Sequence, residues 1–287
     1  MKLLTRAFIL ASAAAGLSWF NPAVAACEPQ RVAQKYPKWA GKIVTVATSP
    51  IQRPYSFTDP TNPTRLVGFE VEVNERVFAC AGLKFEYIIT DQWSGLLAGV
   101  ASGRAAAAIS AVNYNPDRAS RVDYVTYYNV MLSAIVASGN PKRVKSLDDL
   151  CGLTSGYRAG SSSSVVVDRQ QLQCEKLGKP RIVTVPAQNT ESEYRGVENG
   201  RIDVFLDDAV ASSFRRAQFT DPKFELAFRM TDRVTPVGVV VTKGDETLAR
   251  MYSDGLKELE VSGELAAIFK KYAVDPQLIT PIAIRTN

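Results

Sequence analysis

The chain has 287 residues, with 46% hydrophobic and 22% charged residues, a formal net charge of +5 and no histidine. The mild positive charge is scattered along the chain, so no nucleic-acid partner is expected. The lack of histidine excludes Ser-His-Asp catalysis and ordinary zinc sites, and we expect no metal or other cofactor. The length suits one large lobe or two medium lobes.

The first 26 residues have the pattern of a secretory signal peptide. Two basic residues precede an apolar run over residues 7–20, and small residues lead to Cys27. This pattern predicts export to the periplasm, with cleavage near Ala25 or Ala26. The run is too short for a comfortable membrane span. A lipobox that would lipidate Cys27 is the less favoured alternative.

Four cysteines remain in the exported part of the chain. Cysteines of exported proteins usually pair. We expect the pairs Cys151–Cys174, which are close in sequence, and Cys27–Cys80. A free buried thiol is the alternative for each.

The first part of the chain alternates between strand and helix patterns. A β-branched run over residues 42–48 predicts a strand, and a loop with a Pro-rich turn follows it. Helical spacing starts at Phe69 and ends at Gly82, and a strand over 84–89 comes next. A second helical stripe is followed by an apolar strand over 105–112. Alternation of this kind implies a parallel α/β sheet.

The middle of the chain predicts a passage into a second lobe. A strand-rich run ends in Gly139-Asn140-Pro141, so we expect crossings between lobes near 135–141 and near 233–237. The expected organisation is a signal peptide over 1–26, lobe 1 over 27–135 and 238–287, and lobe 2 over 136–237. Two amphipathic helices with buried aromatic residues close the chain.

A six-residue pattern occurs twice, as Gly99–Arg104 and as Gly196–Arg201, each time between a predicted helix and a predicted strand. The two strands then run into Ser110-Ala111 and Asp207-Asp208. In open α/β sheets, ligands bind beyond the carboxyl ends of the strands. Both strand ends are therefore candidate edges of one site.

The end of the first of these strands carries Arg118 after a Pro-Asp turn. A guanidinium held there offers a planar fork of donors that matches a carboxylate. A solvated surface charge is the alternative for an arginine in this position. A run of serines over 161–164 opens a further helix, where hydroxyls and helix N-terminal amides can bind an anion.

Over roughly residues 40 to 275, the chain resembles the periplasmic solute-binding proteins of amino-acid ABC importers, the family 3 extracellular binding proteins. The most specific element is Gly68-Phe69-Glu70-Val71-Glu72-Val73. Further motifs follow in the order of the family: Trp93-Ser94-Gly95-Leu96, Ser110 to Arg118, Ser146 to Leu150, Ala159 to Ser162, Gly200 to Asp203 and Ser262-Gly263-Glu264.

This resemblance implies the two-lobed type II periplasmic-binding-protein fold, with a mostly parallel sheet in each lobe and two hinge strands. It implies capture of an amino acid or derivative by lobe closure, delivery to the membrane permease of an ABC importer, and a monomer. Arg118 would grip the α-carboxylate, with Ser161 and Ser162 as further donors. Asp208 would receive the α-ammonium, with Asp207 as the runner-up.

The resemblance also implies contacts to the rest of the ligand. Ser110 and Asn113 would contact the head group, while Trp93 and Gln52 would line the side-chain pocket. Core packing is the alternative for Trp93, and a helix cap is the alternative for either aspartate. Gln52 stands where the family commonly has an aromatic residue, which leaves the ligand subclass open.

An exported enzyme on the same fold, such as a cyclohexadienyl or arogenate dehydratase, is the alternative function. Without histidine, its general acid or base would be a carboxylate or a lysine. Glu191, Glu193 and Glu198 lie near the second lobe's cleft segment, although solvated helix glutamates are the simpler interpretation. A ligand-sensing receptor domain is disfavoured because no later segment is long and apolar enough for a membrane span.

Overall fold

The computed structural model describes residues 27–90, 94–159 and 161–286. The predicted signal peptide and Trp93 lie outside these residues. The strands are β1 (Ile43–Thr48), β2 (Ile51–Gln52), β3 (Ser56–Asp59), β4 (Asn62–Val67), β5 (Lys84–Ile89), β6 (Ala107–Ala108), β7 (Val122–Val130), β8 (Leu132–Ala137), β9 (Thr154–Tyr157), β10 (Val183–Pro186), β11 (Val204–Asp208), β12 (Phe224–Arg229), β13 (Thr235–Thr242) and β14 (Ile279–Arg285). The α-helices are α1 (Val32–Lys35), α2 (Phe69–Ala81), α3 (Ser94–Ala101), α4 (Pro116–Ala119), α5 (Ser162–Lys176), α6 (Thr190–Glu198), α7 (Ala209–Ala217), α8 (Glu246–Val261) and α9 (Glu264–Lys271).

Two large sheets form two α/β lobes. The first sheet has six strands in the order β14-β7-β13-β6-β1-β5, and the second has five in the order β10-β9-β11-β8-β12. Helices α2, α8 and α9 pack on the first sheet around the buried rings of Phe69, Phe78 and Phe269. Smaller apolar clusters pack on the second sheet. The predicted two-lobed architecture is therefore confirmed.

Both sheets are mixed, whereas the sequence predicts mostly parallel ones. Only β1 with β5 and β6, and β9 with β10 and β11, pair in parallel among the described strands. The remaining pairs of the two large sheets are antiparallel. The strand that carries the chain out of a lobe and the strand that brings it back lie side by side and run in opposite directions. Parallel pairing needs a crossover connection, usually a helix.

The chain changes sheets at two places. Strand β7 belongs to the first sheet and β8 to the second, so the first passage lies at Met131. It precedes the predicted crossing near 135–141, because Ile135 is already paired with Phe205 and Leu226 in the second sheet. The return passage lies between β12 and β13 and overlaps the predicted crossing near 233–237. Two short connections therefore join the lobes.

The segment between β1 and α2, predicted as a loop, forms a three-stranded antiparallel sheet of β2, β3 and β4. Its tight turn is held by Asp59, whose Oδ1 accepts hydrogen bonds from the backbone nitrogen and the hydroxyl of Thr61 at 2.8 and 2.7 Å. Asx turns of this kind reverse the chain without help from distant residues. The small sheet thereby places Gln52 and Tyr55 at the edge of the first lobe.

Both predicted disulfides are present, Cys27–Cys80 and Cys151–Cys174. A sulfur held in a disulfide cannot also carry a thioether-linked lipid, so the pairing of Cys27 disfavours the lipobox alternative. Within the described residues, no helix combines the length and the apolar character needed to cross a membrane.

The Gly-Phe-Glu signature has a steric explanation at Gly68. This glycine precedes α2 with φ of 139°, a conformation that residues with a Cβ rarely adopt. An added Cβ would collide with the carbonyl oxygen of Tyr55. The close approach matters because the backbone nitrogen of Glu70 donates to that same oxygen at 3.1 Å.

We therefore expect Gly68→Ala to lower the free energy of unfolding by about 3 kcal/mol, from backbone strain and steric overlap. Urea unfolding followed by circular dichroism measures this loss. Gly99→Ala is the matched control, because Gly99 lies in α3 without a positive φ and a Cβ there would meet open space. Equal stability of the two variants would contradict the steric explanation.

Candidate functional site

A cleft of about 1250 Å³ lies between the two lobes. Arg118, Asn113 and Gln52 line its lobe 1 wall, and Ser161, Ser162 and Asp208 line its lobe 2 wall. The fold therefore brings together six of the eight predicted site residues. The other two are Ser110, which does not line the cleft, and Trp93, which lies outside the described residues.

Arg118 is held at the cleft by a short capped helix. Helix α4 starts after Asn115, whose Oδ1 accepts hydrogen bonds from the backbone nitrogens of Asp117 and Arg118 at 2.8 and 3.3 Å. The side chain of Arg118 is half-buried, and its Nη1 donates to the carbonyl oxygen of Asn113 at 3.4 Å. Backbone and side-chain contacts thus fix the guanidinium beyond the end of β6, the strand that follows the first six-residue pattern.

The serine run forms the N-terminus of α5, as the sequence predicts. Ser161 is the N-cap, since its Oγ accepts a hydrogen bond from the backbone nitrogen of Ser164 at 3.1 Å. The same oxygen lies 2.8 Å from Oγ of Ser163. The Ser161 hydroxyl is therefore engaged in capping, while the exposed Ser162 follows in the first helical position. The helix dipole makes this end of α5 favourable for an anion.

Asp208 connects the two lobes. Its Oδ1 accepts hydrogen bonds from the backbone nitrogens of Val210 and Ala211 at 2.8 and 2.9 Å, so it caps α7. Its Oδ2 accepts one from the hydroxyl of Tyr55, in lobe 1, at 2.8 Å. Burial raises the pKa of Asp208 to about 6 despite these donors. A carboxylate has about four acceptor positions, so one remains for a further donor in the cleft.

Asp207, the runner-up, is more deeply buried than Asp208, with 7% of its surface exposed. Its Oδ2 accepts hydrogen bonds from the hydroxyls of Tyr194 and Ser212, both at 3.3 Å. Its Oδ1 lies 3.5 Å from Nη2 of Arg158. Burial raises the pKa of Asp207, with Arg158 opposing the shift. Neighbouring side chains thus occupy Asp207, which leaves Asp208 as the better candidate for an external cation.

Arg158 lines the lobe 2 wall and forms a charged pair with the buried Glu193, which the sequence motifs do not predict. Nε of Arg158 lies 2.7 Å from Oε2 of Glu193, which is 1% exposed. Burial raises the pKa of Glu193 to about 7, although Arg158 opposes this. The position of Arg158 just before the Ala-Gly-Ser-Ser turn was the available signal. Of the other candidate acids, Glu191 pairs with Arg215 at 2.8 Å, and Glu198 is exposed.

Ser110 lies behind the cleft wall instead of contacting the cleft. Its side chain is fully buried, and its Oγ lies 2.8 Å from Oγ1 of Thr48 and accepts a hydrogen bond from the backbone nitrogen of Ser49 at 3.0 Å. The cause is its positive φ of 108°, which turns the chain at the end of the strand. Ser110 therefore supports the neighbouring Ala111, which does line the cleft.

Glu70 holds this turn in place, a role that the sequence reading missed. Its Oε2 accepts hydrogen bonds from the backbone nitrogens of Ser110 and Ala111 at 2.7 and 2.8 Å. Its Oε1 accepts one from the hydroxyl of Tyr128 at 2.7 Å. Burial raises the pKa of Glu70 to about 7, although all three donors oppose the shift. The signal was present as the first acid of the Gly-Phe-Glu signature.

Glu70 should make the stability of the protein depend on pH. Because its folded-state pKa exceeds its ordinary value, its contribution to stability is fully present below about pH 4.5 and is lost as the pH rises through about 7. The loss is on the order of 3 kcal/mol. In Glu70→Gln we expect the difference between unfolding free energies at pH 5 and pH 8 to shrink by about that amount. Urea unfolding at both pH values measures it.

Glu72→Gln is the matched control, because Glu72 lies on the same helix but contacts the exposed Lys271. It should keep the wild-type difference between the two pH values. If Glu70→Gln also kept the wild-type difference between pH 5 and pH 8, Glu70 would not titrate over this range.

Comparison with known proteins places the chain among binding proteins. The profile of the bacterial extracellular solute-binding proteins, family 3, matches residues 44–275. A probable amino-acid ABC transporter-binding protein of Haemophilus influenzae is 26% identical over 79% of this chain and 83% of its own length. The L-cystine-binding protein TcyJ of Escherichia coli is 27% identical over 76% of this chain and 78% of its own length.

A solved structure gives the same answer for the fold. The crystal structure of YckB from Bacillus subtilis superposes with a TM-score of 0.67 at 26% identity, over 83% of this chain and 92% of that one. The profile match covers most of the chain, in the order of motifs that the sequence shows. The protein belongs to the family 3 bacterial extracellular solute-binding proteins.

Proposed function

We propose that this protein captures an amino acid or amino-acid derivative between its lobes and delivers it to the permease of an ABC importer. The observation that carries the proposal is the distribution of charge across the cleft. Arg118 lies on the lobe 1 wall, and the N-terminus of α5 and Asp208 lie on the lobe 2 wall. A zwitterion has one anionic and one cationic group, so it can engage both walls together.

Lobe closure follows from this division of the site. The α-carboxylate would bind Arg118 and the amides at the N-terminus of α5, and the α-ammonium would take the remaining acceptor position of Asp208. Both walls contact one small ligand only when the lobes are close, so binding favours the closed state. A permease can then distinguish the loaded protein from the empty one by its shape.

Export and a monomeric state complete the proposal. The leader pattern of residues 1–26 supports secretion to the periplasm with cleavage near Ala25 or Ala26. The Cys27–Cys80 disulfide supports release without a lipid anchor. The related proteins are named as binding proteins, which favours binding over the alternative of a dehydratase.

Arg118→Ala should weaken amino-acid binding by ~2–4 kcal/mol, because the ligand carboxylate loses its charged partner in the closed cleft. A thermal-shift screen of amino acids and their derivatives first selects the ligand, and titration calorimetry then measures its affinity. Arg104→Ala is the matched control, since Arg104 is exposed and does not line the cleft. Unchanged affinity in Arg118→Ala would refute the assignment.

Asp208→Asn separates the two roles of Asp208. Asparagine caps helices as well as aspartate does, so the cap on α7 should remain and the free energy of unfolding should not fall by more than about 0.5 kcal/mol. The loss of the charge should weaken binding of the same ligand by about 1.5–3 kcal/mol. Calorimetry and urea unfolding test the two expectations separately. A stability loss with unchanged affinity would assign Asp208 to capping alone.

A further inference from the structure

The cleft contains more arginines than its carboxylates can neutralise. Its lining includes three carboxylates, those of Glu191, Asp207 and Asp208. Six arginines line it as well: Arg53, Arg118, Arg158, Arg169, Arg215 and Arg233. A zwitterionic amino acid adds no net charge, so this excess is larger than the head group requires.

The lining carboxylates already have partners within the protein. Asp207 and the buried Glu193 share Arg158, and Glu191 pairs with Arg215 at 2.8 Å. Asp208 accepts from α7 and from Tyr55. None of these acids pairs with the remaining basic end of the cleft.

That basic end is formed by Arg169 and Arg233. Arg169 forms no ion pair with any described residue, and Arg233 has only its exposed neighbour Asp232, at 3.7 Å. Together with Val166 and Met230, both arginines also line an adjoining hollow of about 540 Å³. Lys145 and Arg229 also line this hollow, together with the acidic residues Asp148 and Asp232. Its four basic residues outnumber the two acidic ones, so the positive charge continues beyond the cleft.

Arg169 is also well placed relative to the head-group site. It follows Ser162 by seven residues on α5, which puts it on nearly the same face of the helix, about 10 Å further along the axis. Side chains of an α-helix lean towards its N-terminus, so a long arginine side chain shortens this distance. A second anionic group several ångströms from the α-carboxylate would come within its reach.

We propose that the ligand carries a second carboxylate and that Arg169 and Arg233 bind it, an inference that rests on the proposed capture of an amino acid. The ligand class is then a dicarboxylic amino acid or an amino acid with an N-carboxyalkyl group. The planar fork of arginine suits a carboxylate better than the point charge of lysine does. Two such forks at one end of the cleft select for the additional acid.

Titration calorimetry of the full protein with matched pairs tests this proposal. The pairs are L-glutamate with L-glutamine, and N2-(1-carboxyethyl)-L-arginine with L-arginine, in which only one member has the additional carboxylate. We expect that member to bind at least about 10-fold more tightly in one pair or both. Arg169→Gln and Arg233→Gln should each reduce this preference several-fold while the other member binds as before.

Arg181→Gln is the matched control, because Arg181 is exposed, lies outside the cleft and pairs with Glu175. It should retain the full preference. A preference that survives both cleft substitutions would overturn the assignment of the two arginines. Equal or weaker binding of the dicarboxylates, with binding still dependent on Arg118, would overturn the ligand class and leave the proposed function intact. If the wild type binds no amino acid or derivative at all, the proposed function fails, and this inference fails with it.

Discussion

The carboxylate of Glu70 is the contact on which the geometry of the lobe 1 wall depends. It is 1% exposed and accepts hydrogen bonds from Ser110, Ala111 and Tyr128. Ser110 and Ala111 are two successive residues with positive φ, and Glu70 supplies an acceptor for the backbone N–H group of each. An unmade hydrogen bond at a buried amide such as that of Ser110 is costly. Three donors thus offset part of the desolvation of this carboxylate, and the turn that leads to Arg118 is fixed.

Glu70 is also connected to the second lobe through Tyr128 and Tyr55. The Tyr128 ring lies 6.3 Å from the Tyr55 ring, centroid to centroid, and the Tyr55 hydroxyl donates to Asp208. Nearby, the rings of Phe57 and Phe214 lie 6.0 Å apart across the same boundary. Among the described residues, the contacts at this boundary include one hydrogen bond, one ring pair and the packing of Val210 of lobe 2 into the apolar core of lobe 1. The hydrogen bond and the ring pair are each worth only about 1 kcal/mol.

Lobe 2 has its own buried charge cluster beneath the cleft. Arg158 lies between Glu193 and Asp207, and both carboxylates are almost fully buried. Such clusters gain little net stability, because desolvation consumes most of the attraction. Their geometry is nevertheless well defined, since losing any one member would strand the other charges. The cluster therefore fixes the strand end that carries Asp208, which is exposed to the cleft beside it.

Local patterns in the sequence were sufficient for much of the fold. The helix over Phe69–Ala81 follows from its apolar spacing and from Gly82, and both disulfides follow from parity and export. The six-residue repeats do end α3 and α6, each before a strand of a different sheet. Local patterns were less able to predict long-range strand pairing. Strand β14 was not predicted, and the sheets predicted as mostly parallel are mixed. Strand direction depends on how the chain crosses between lobes, which no local pattern shows.

The sequence by itself determined the family, the two lobes and the residue types available for a zwitterion, because motif order and hydrophobic periodicity are local properties. Only the tertiary structure decided which side chains reach the cleft. Ser110 turned inward through its backbone conformation, whereas Asp208 met Tyr55 from 153 residues away. The roles of Glu70, Arg158 and the additional cleft arginines likewise follow only from the tertiary structure. Their effect depends on burial and on partners distant in sequence, and neither is encoded in any short stretch of the chain.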